Sequence, residues 1–327
     1  MQRLTLILAG TLGAQLVLAL ALTFGGSDHA SFKAKEPLLA FDAGAVDRID
    51  IDESGAGSVT LTKRDGSWVV PSMTDFPADG MRVMAFLATL ADLKKGWAAA
   101  TSTEAARRFK VADEAHERRI VLRKGEKTIA ELVLGTSPSF RQVHARAGAD
   151  PNIYNVAFAT YDVGTRGEDW MNRDALSVPD DKIAHISIGD LGLDRKDGKY
   201  VIAGLAAGET QKDSEVWRLA GASAHPVFDS VQGKGADALA KVGDPDIQVS
   251  IKTTDGSTVI LKYKKEAAGG AYLFTSSMSD YLFRVGETAI QPLVKAKQEM
   301  LVEAKKQEGG GAETTQKHEN TPGSSGG

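Results

Sequence analysis

The sequence predicts an α+β fold: one N-terminal transmembrane helix, then two tandem, similar units of mostly antiparallel sheet with packed helices. Three observations predict it. An uncharged apolar run lies near the start, strand-like runs are joined by Asp-Gly, and the same succession of runs recurs in the second half.

From Leu4 to Phe24 no residue is charged, and at about 1.5 Å rise per residue this run covers about 30 Å, the thickness of bilayer hydrocarbon. Residues 1–25 therefore read as a membrane anchor. A cleaved signal peptide is the rival reading, because Ala19-Leu20-Ala21 resembles a small-x-small processing site. Both readings put the body across the membrane. Residues 26–40 read as a polar tether, 41–176 and 177–305 as the two units, and 306–327 as a disordered tail in which Gly, Ser, Thr, Glu and Gln dominate.

The first unit opens with Val46-Asp47-Arg48-Ile49-Asp50-Ile51-Asp52, which alternates at the strand period and sets Ile49 and Ile51 inward. Ile183 to Gly189 repeats that pattern. Lys63-Arg64-Asp65-Gly66-Ser67-Trp68-Val69-Val70 then corresponds to Arg195-Lys196-Asp197-Gly198-Lys199-Tyr200-Val201-Ile202, each with the Asp-Gly of a tight hairpin. An amphipathic helix follows in both. In the first unit Asp79 caps a helix whose inward residues are expected to be Met81, Val83, Met84, Leu87, Leu90, Ala91 and Leu93. In the second, Ser214 is the expected cap, and Gly221 and Pro226 are expected to break the helix. Further strand pairs at 119–134 and 248–262 complete each unit, so an antiparallel meander with helices on one face is expected.

Composition narrows function. A net charge of -4 over 327 residues, with both signs interspersed, leaves no basic face for a phosphate backbone, so nucleic acid is excluded as the expected partner. No cysteine is present, which removes disulfides and thiolate chemistry. The six histidines lack paired helical spacing, and Asp50-x-Asp52-x-Ser54-Gly55 begins like a calcium loop but has Leu61 where the closing Glu belongs. No metal, cofactor or catalytic residue is expected. Glu168 and Asp169 beside Trp170 are the pair a carboxylate-dependent hydrolase would use, and a solvated turn anchored by the Trp explains them as well. Trp68, Trp97 and Trp217 are expected in the core. Phe140, Arg141, His144, Arg146, Tyr154 and Arg166, in a stretch rich in loop residues, form the candidate partner surface.

The N-terminal span, Gly66-Ser67-Trp68-Val69-Val70, the Pro77-Ala78-Asp79 helix start, and Leu134-Gly135 followed by Tyr154-Asn155-Val156 together resemble an uncharacterised bacterial membrane-anchored family of unknown function. That family is often found beside the permease and the gliding-motility-type auxiliary component of an ABC transporter. The likeness covers roughly residues 1–300; Tyr200, where a Trp is usual, departs from it. The resemblance implies an accessory or scaffold subunit of a transport system in the bacterial inner membrane. It would be single-pass and non-catalytic, with its body in the periplasm and permease or auxiliary membrane subunits as partners. A periplasmic module binding an envelope glycan or lipid is the alternative, and it would need an apolar or aromatic groove between the units.

Overall fold

The computed structural model describes residues 36–304 together with Gln15. The expected span at residues 4–24, apart from Gln15, and the tail at 306–327 lie outside the described residues. Among the described residues no helix is long and apolar enough to cross a membrane. Mostly antiparallel sheet with several helices makes the fold α+β.

Contacts divide the chain into two compact units. The first runs to Ala175 and takes in Phe228–Leu239 and Tyr281–Arg284. It holds β1 (Arg48–Glu53), β2 (Gly57–Arg64), β3 (Ser67–Val70), β4 (Phe76–Pro77), helix α1 (Gly80–Asp92), β5 (Ala98–Ala100) and the short helix α2 (Thr103–Arg108). After these come β6 (Val111–Ala112), β7 (Ala115–His116), β8 (Arg118–Lys124), β9 (Lys127–Leu134), β10 (Gln142–Ala147) and β11 (Ile153–Ala157). Nine of these strands form one sheet in the order β4-β3-β2-β1-β8-β9-β10-β11-β5. Asp65 and Gly66 turn the β2–β3 hairpin at φ 50° and 83°. Two consecutive positive φ values are what a two-residue turn matched to strand twist requires, hence Asp-Gly there.

Antiparallel partners share a sheet face, so the register sorts every side chain. Ile51 pairs with Val59 and Ile120, Ile120 with Leu132, Leu134 with Ala145, and Ala145 with Tyr154. All are buried and line the core face. Residues one position away lie on the reverse face. There Val133 and Ile153 pack with Ala105 and Val111 in a separate small cluster that Phe109 borders. Helices on one face alone were expected; α2 and β6 instead cover part of the reverse face, because Val133 and Ile153 are apolar where strict alternation would have left them polar.

Elsewhere the reverse face is polar. Asp50 accepts from Arg48 Nε at 2.9 Å, Arg123 Nε at 2.9 Å and Thr60 Oγ1 at 2.8 Å. Next to it His116 Nε2 meets Asp52 Oδ2 at 2.5 Å. The acids that begin like a calcium loop are thus engaged by two arginines, a threonine hydroxyl and an imidazole.

Two pieces from late in the chain complete the first unit. β16 (Ser230–Lys234) and β20 (Tyr281–Gly286) pair antiparallel, and Phe76 meets Phe228, Tyr281 and Phe283 edge-on at 5.6, 5.0 and 5.7 Å. Such pairs add about 0.5–1.5 kcal/mol each beyond their buried area. Tyr281 also donates to the carbonyls of Thr74 and Asp75 at 3.1 and 2.9 Å, two residues with φ of 59°.

The second unit contains β12 (Ile183–Ile188), β13 (Leu191–Lys196), β14 (Lys199–Ile202), β15 (Glu209–Gln211), helix α3 (Asp213–Ala224), β17 (Ile247–Thr253), β18 (Thr258–Lys265), β19 (Ala271–Ser276) and β21 (Val302–Ala304). Six of its strands run in the order β14-β13-β12-β17-β18-β19. Asp197 and Gly198 turn its hairpin at φ 47° and 76°. Two helix expectations are corrected. Helix α3 passes unbroken through Gly221 and ends just before His225-Pro226, since one glycine costs about 1 kcal/mol and buried Val216, Leu219 and Ala220 outweigh it. Its N-cap is Lys212 without a side-chain bond, not Ser214. Trp217 is half-exposed, edge-on to Tyr200 and beneath the Arg195 guanidinium, so it is not a core residue.

The glycine of Leu134-Gly135 has a steric reason. A Cβ there would lie 1.9 Å from Phe109 O, because Gly135 and Thr136 run against the α2 terminus and Thr136 N donates to Phe109 O at 2.8 Å. Gly135→Ala is expected to destabilise the first unit by about 1–3 kcal/mol, read as a lowered denaturant midpoint at unchanged slope; an unchanged midpoint contradicts the packing.

Burial alone would raise the Asp50 carboxyl, but hydrogen bonds from Arg48, Arg123 and Thr60 outweigh it and hold the group below its ordinary value of 3.8. A depressed carboxyl stabilises the fold above its unfolded pKa, and that stability is lost as pH falls through the folded value. Asp50→Asn is expected to cost on the order of 1 kcal/mol at neutral pH and to flatten the acid-side fall below about pH 4, measured by urea melts across pH.

Candidate functional site

Helix α1 is flanked by two clefts of the first unit. Its start is fixed from two sides. Ala78 N donates to Trp68 O and Asp79 N to Trp170 O, both at 2.8 Å, while the Asp79 carboxylate accepts from Arg82 N at 3.0 Å. At the other end Leu38 N donates to Leu93 O at 2.7 Å and Lys95 N to Glu36 O at 2.9 Å. Leu38 and Leu39, expected in the tether, are buried. The chain therefore joins the body beside the C-terminal end of α1.

Val83, Phe86, Leu87 and Leu90 are the buried residues of α1. Spacing of three and four places them on one stripe, and full burial stabilises each by about 1.5–3 kcal/mol. At 100° per residue Met81 and Met84 fall on the opposite side. They are 82% and 66% exposed, which corrects the expectation that both face inward.

A cleft opens on each side of this helix. One, of about 560 Å³, lies between α1 and the β2–β3 hairpin, lined by Lys63, Trp68, Ala78, Met84, Leu87 and Asn172 among others. The second, of about 600 Å³, lies between α1 and the end of β11. Its walls include Phe86, Phe158 and Trp170, with Arg82, Arg141 and Asp162 as its charged groups. Trp170 is buried, its indole N–H donates to Gly164 O at 3.0 Å, Phe86 meets it edge-on at 5.2 Å, and the Arg82 guanidinium lies over its ring at 5.2 Å. The expectation that this Trp anchors its turn to the core holds. In the second unit a cleft of about 380 Å³ carries Glu215 and Arg218, which are paired with each other.

The six residues of the candidate partner surface separate. Phe140, 87% exposed, and Arg141 form the tip of a tight turn closed by Gln142 N to Ser139 O at 3.2 Å, with Arg141 at φ 53°. Arg166 is exposed and pairs with Asp169 at 3.3 Å. The other three are structural. His144 is buried, donates through Nδ1 to Thr136 O at 2.7 Å and stacks on Phe109 at 4.0 Å. Arg146 donates to Val111 O at 2.8 Å and to Asp113 at 2.5 Å, with a third bond to Gly148 O. Tyr154 is 7% exposed on the core face, where burial, the largest effect, and the nearby Asp150 carboxylate raise its pKa. Of the six, Arg141 lines the second of these clefts. Arg82 and Asp162 were missed; the one signal for Arg82 was its place in the first turn of a capped helix.

Trp97, expected in the core, is 73% exposed. Among the described residues no group of three or more His, Asp or Glu side chains is placed to hold a metal ion.

Residues 68–246, which include α1 and the whole lining of the second cleft, match the model of a family described as a domain of unknown function, DUF4340. No curated protein matches, and no solved structure does.

Because the Asp79 carboxylate satisfies a backbone donor that the helix itself cannot, Asp79→Ala is expected to cost about 1 kcal/mol in a denaturant melt. Asp79→Asn, which keeps the accepting oxygen, is expected to cost a few tenths at most; equal losses would deny the cap its role.

Proposed function

This chain belongs to the DUF4340 family, a domain of unknown function, and we propose that it is a membrane-anchored, extracytoplasmic, non-catalytic accessory subunit of an ABC-type transport system. The outward face of α1 is its docking surface for an apolar segment of a membrane partner. Met81 and Met84 carry this reading: two long, adaptable apolar side chains stand exposed on a helix whose other face is locked to the sheet.

Three further observations support it. The uncharged run from residue 4 to residue 24 is long enough to span a bilayer, which supports a single-pass anchor with the body in the periplasm beside the inner membrane. Residues 36 and 38, which follow that run in sequence, are bonded to the chain at the C-terminal end of α1, the helix that carries the docking face. The proposed internal repeat is supported by strand order, β3-β2-β1-β8-β9-β10 in the first unit and β14-β13-β12-β17-β18-β19 in the second, with a helix after the fourth strand of each. Duplicated sheets of this kind serve as rigid scaffolds, and any energy for transport would come from another chain.

The test is affinity recovery of the tagged full chain from crosslinked native membranes. Permease or ATPase subunits are expected with the parent protein and are expected to fall at least about tenfold with Met81→Ser plus Met84→Ser at unchanged melting temperature, a loss of about 1.4 kcal/mol or more. Recovery of no transporter subunit with the parent protein would overturn the proposal.

A further inference from the structure

The cleft between α1 and the end of β11 holds an imbalance of charge. Arg82 and Arg141 both line it, and neither side chain has an ion-pair or hydrogen-bond partner among the described residues; Arg82 touches only the Trp170 ring. Two uncompensated guanidiniums sharing one recess repel each other. Arg141 also occupies a left-handed conformation at φ 53°, which a non-glycine residue adopts at a cost of order 1 kcal/mol. The opposing group is Asp162, so the three charges sum to one positive. Around them the walls are apolar and aromatic, and about 600 Å³ is within the range of small-molecule sites.

We propose that this cleft binds an organic monoanion, a carboxylate or phosphodiester carried on an apolar or aromatic body, with Arg82 and Arg141 gripping the anion and Asp162 accepting a hydrogen bond from a ligand hydroxyl or N–H. Guanidiniums present paired N–H donors that match either anion. Ala85, Ala157 and the small exposed parts of Phe86 and Phe158 receive the apolar body, with Trp170 buried behind them as the support of Arg82. Asp162 sets the charge rule, since a phosphomonoester carrying nearly two negative charges at neutral pH would meet its carboxylate unfavourably.

The test titrates the full chain in nonionic detergent with four probes: N-acetylphenylalanine, its uncharged amide, dihexanoyl phosphatidylglycerol and phenyl phosphate. Binding of N-acetylphenylalanine, at least tenfold tighter than its amide, assigns a soluble carboxylate; binding of the phosphatidylglycerol alone assigns a lipid headgroup. In either case Arg82→Gln and Arg141→Asn are each expected to weaken binding about tenfold or more. Asparagine tolerates positive φ, so the second variant keeps the turn even if the first disturbs packing on Trp170. Asp162→Asn is expected to raise the affinity for phenyl phosphate about tenfold relative to the monoanion. Absence of binding by both monoanions at millimolar concentration overturns the inference, as does binding that both arginine variants leave unchanged. Met81 and Met84 are untouched in these variants, so the result stands apart from partner recovery.

Discussion

Helix α1 is held to the sheet by four apolar side chains, Val83, Phe86, Leu87 and Leu90, and tied at both ends by backbone hydrogen bonds. That attachment is the constraint on which the functional surface depends. Once those four are buried, the 100° step of the helix leaves no freedom over what faces outward. Met81 and Met84 must be exposed, Arg82 must turn towards Trp170, and a recess must open along each flank where the cylinder curves away from the sheet. Loss of a single inner contact, worth a few kcal/mol on burial and cavity grounds, would loosen all of these together.

The sheet's two faces divide the labour. The core face, from Leu61 through Ile51 and Ile120 to Leu132 and Ala145, carries the apolar rows of the core. On the reverse face the arrangement changes along the sheet: Asp50, Arg48, Arg123 and Thr60 form a bonded polar cluster at β1, and α2 with β6 covers Val133 and Ile153 towards the other edge. Partly exposed ion pairs contribute about 1 kcal/mol or less each, so their value lies more in fixing strand register than in total stability. On the same face Gly135 carries no side chain because a Cβ would collide with Phe109 O, while His144 donates to Thr136 O and Arg146 to the Val111 carbonyl of β6.

Local rules made the scaffold legible. Asp65-Gly66 and Asp197-Gly198 turn as their chemistry demands, Ile49 and Ile51 face inward as alternation requires, and Asp79 caps its helix as read. What failed were judgements that depend on partners distant in sequence. Hydrophobicity alone counts Met81 and Met84 as inward, whereas helical phase sets Phe86 with Val83, Leu87 and Leu90 on the buried stripe and leaves the two methionines off it. Gly221 was read as a breaker, although packing on Val216 and Leu219 outweighs its propensity. The six residues of the candidate partner surface do not lie together for a related reason. Proximity in sequence gathered Phe140, His144, Arg146 and Tyr154, but in β10 and β11 neighbouring residues point to opposite faces, and the cleft that Arg141 lines is completed by Arg82 and Asp162 from other elements.

The central claim is that the outward face of α1 meets a membrane partner, and a photo-crosslinking residue at position 84 tests it most directly. In native membranes, irradiation of this variant is predicted to give a discrete adduct with a membrane subunit, while the same residue at position 262, exposed on β18, gives none. Adducts at both positions alike, or at neither, would contradict the account.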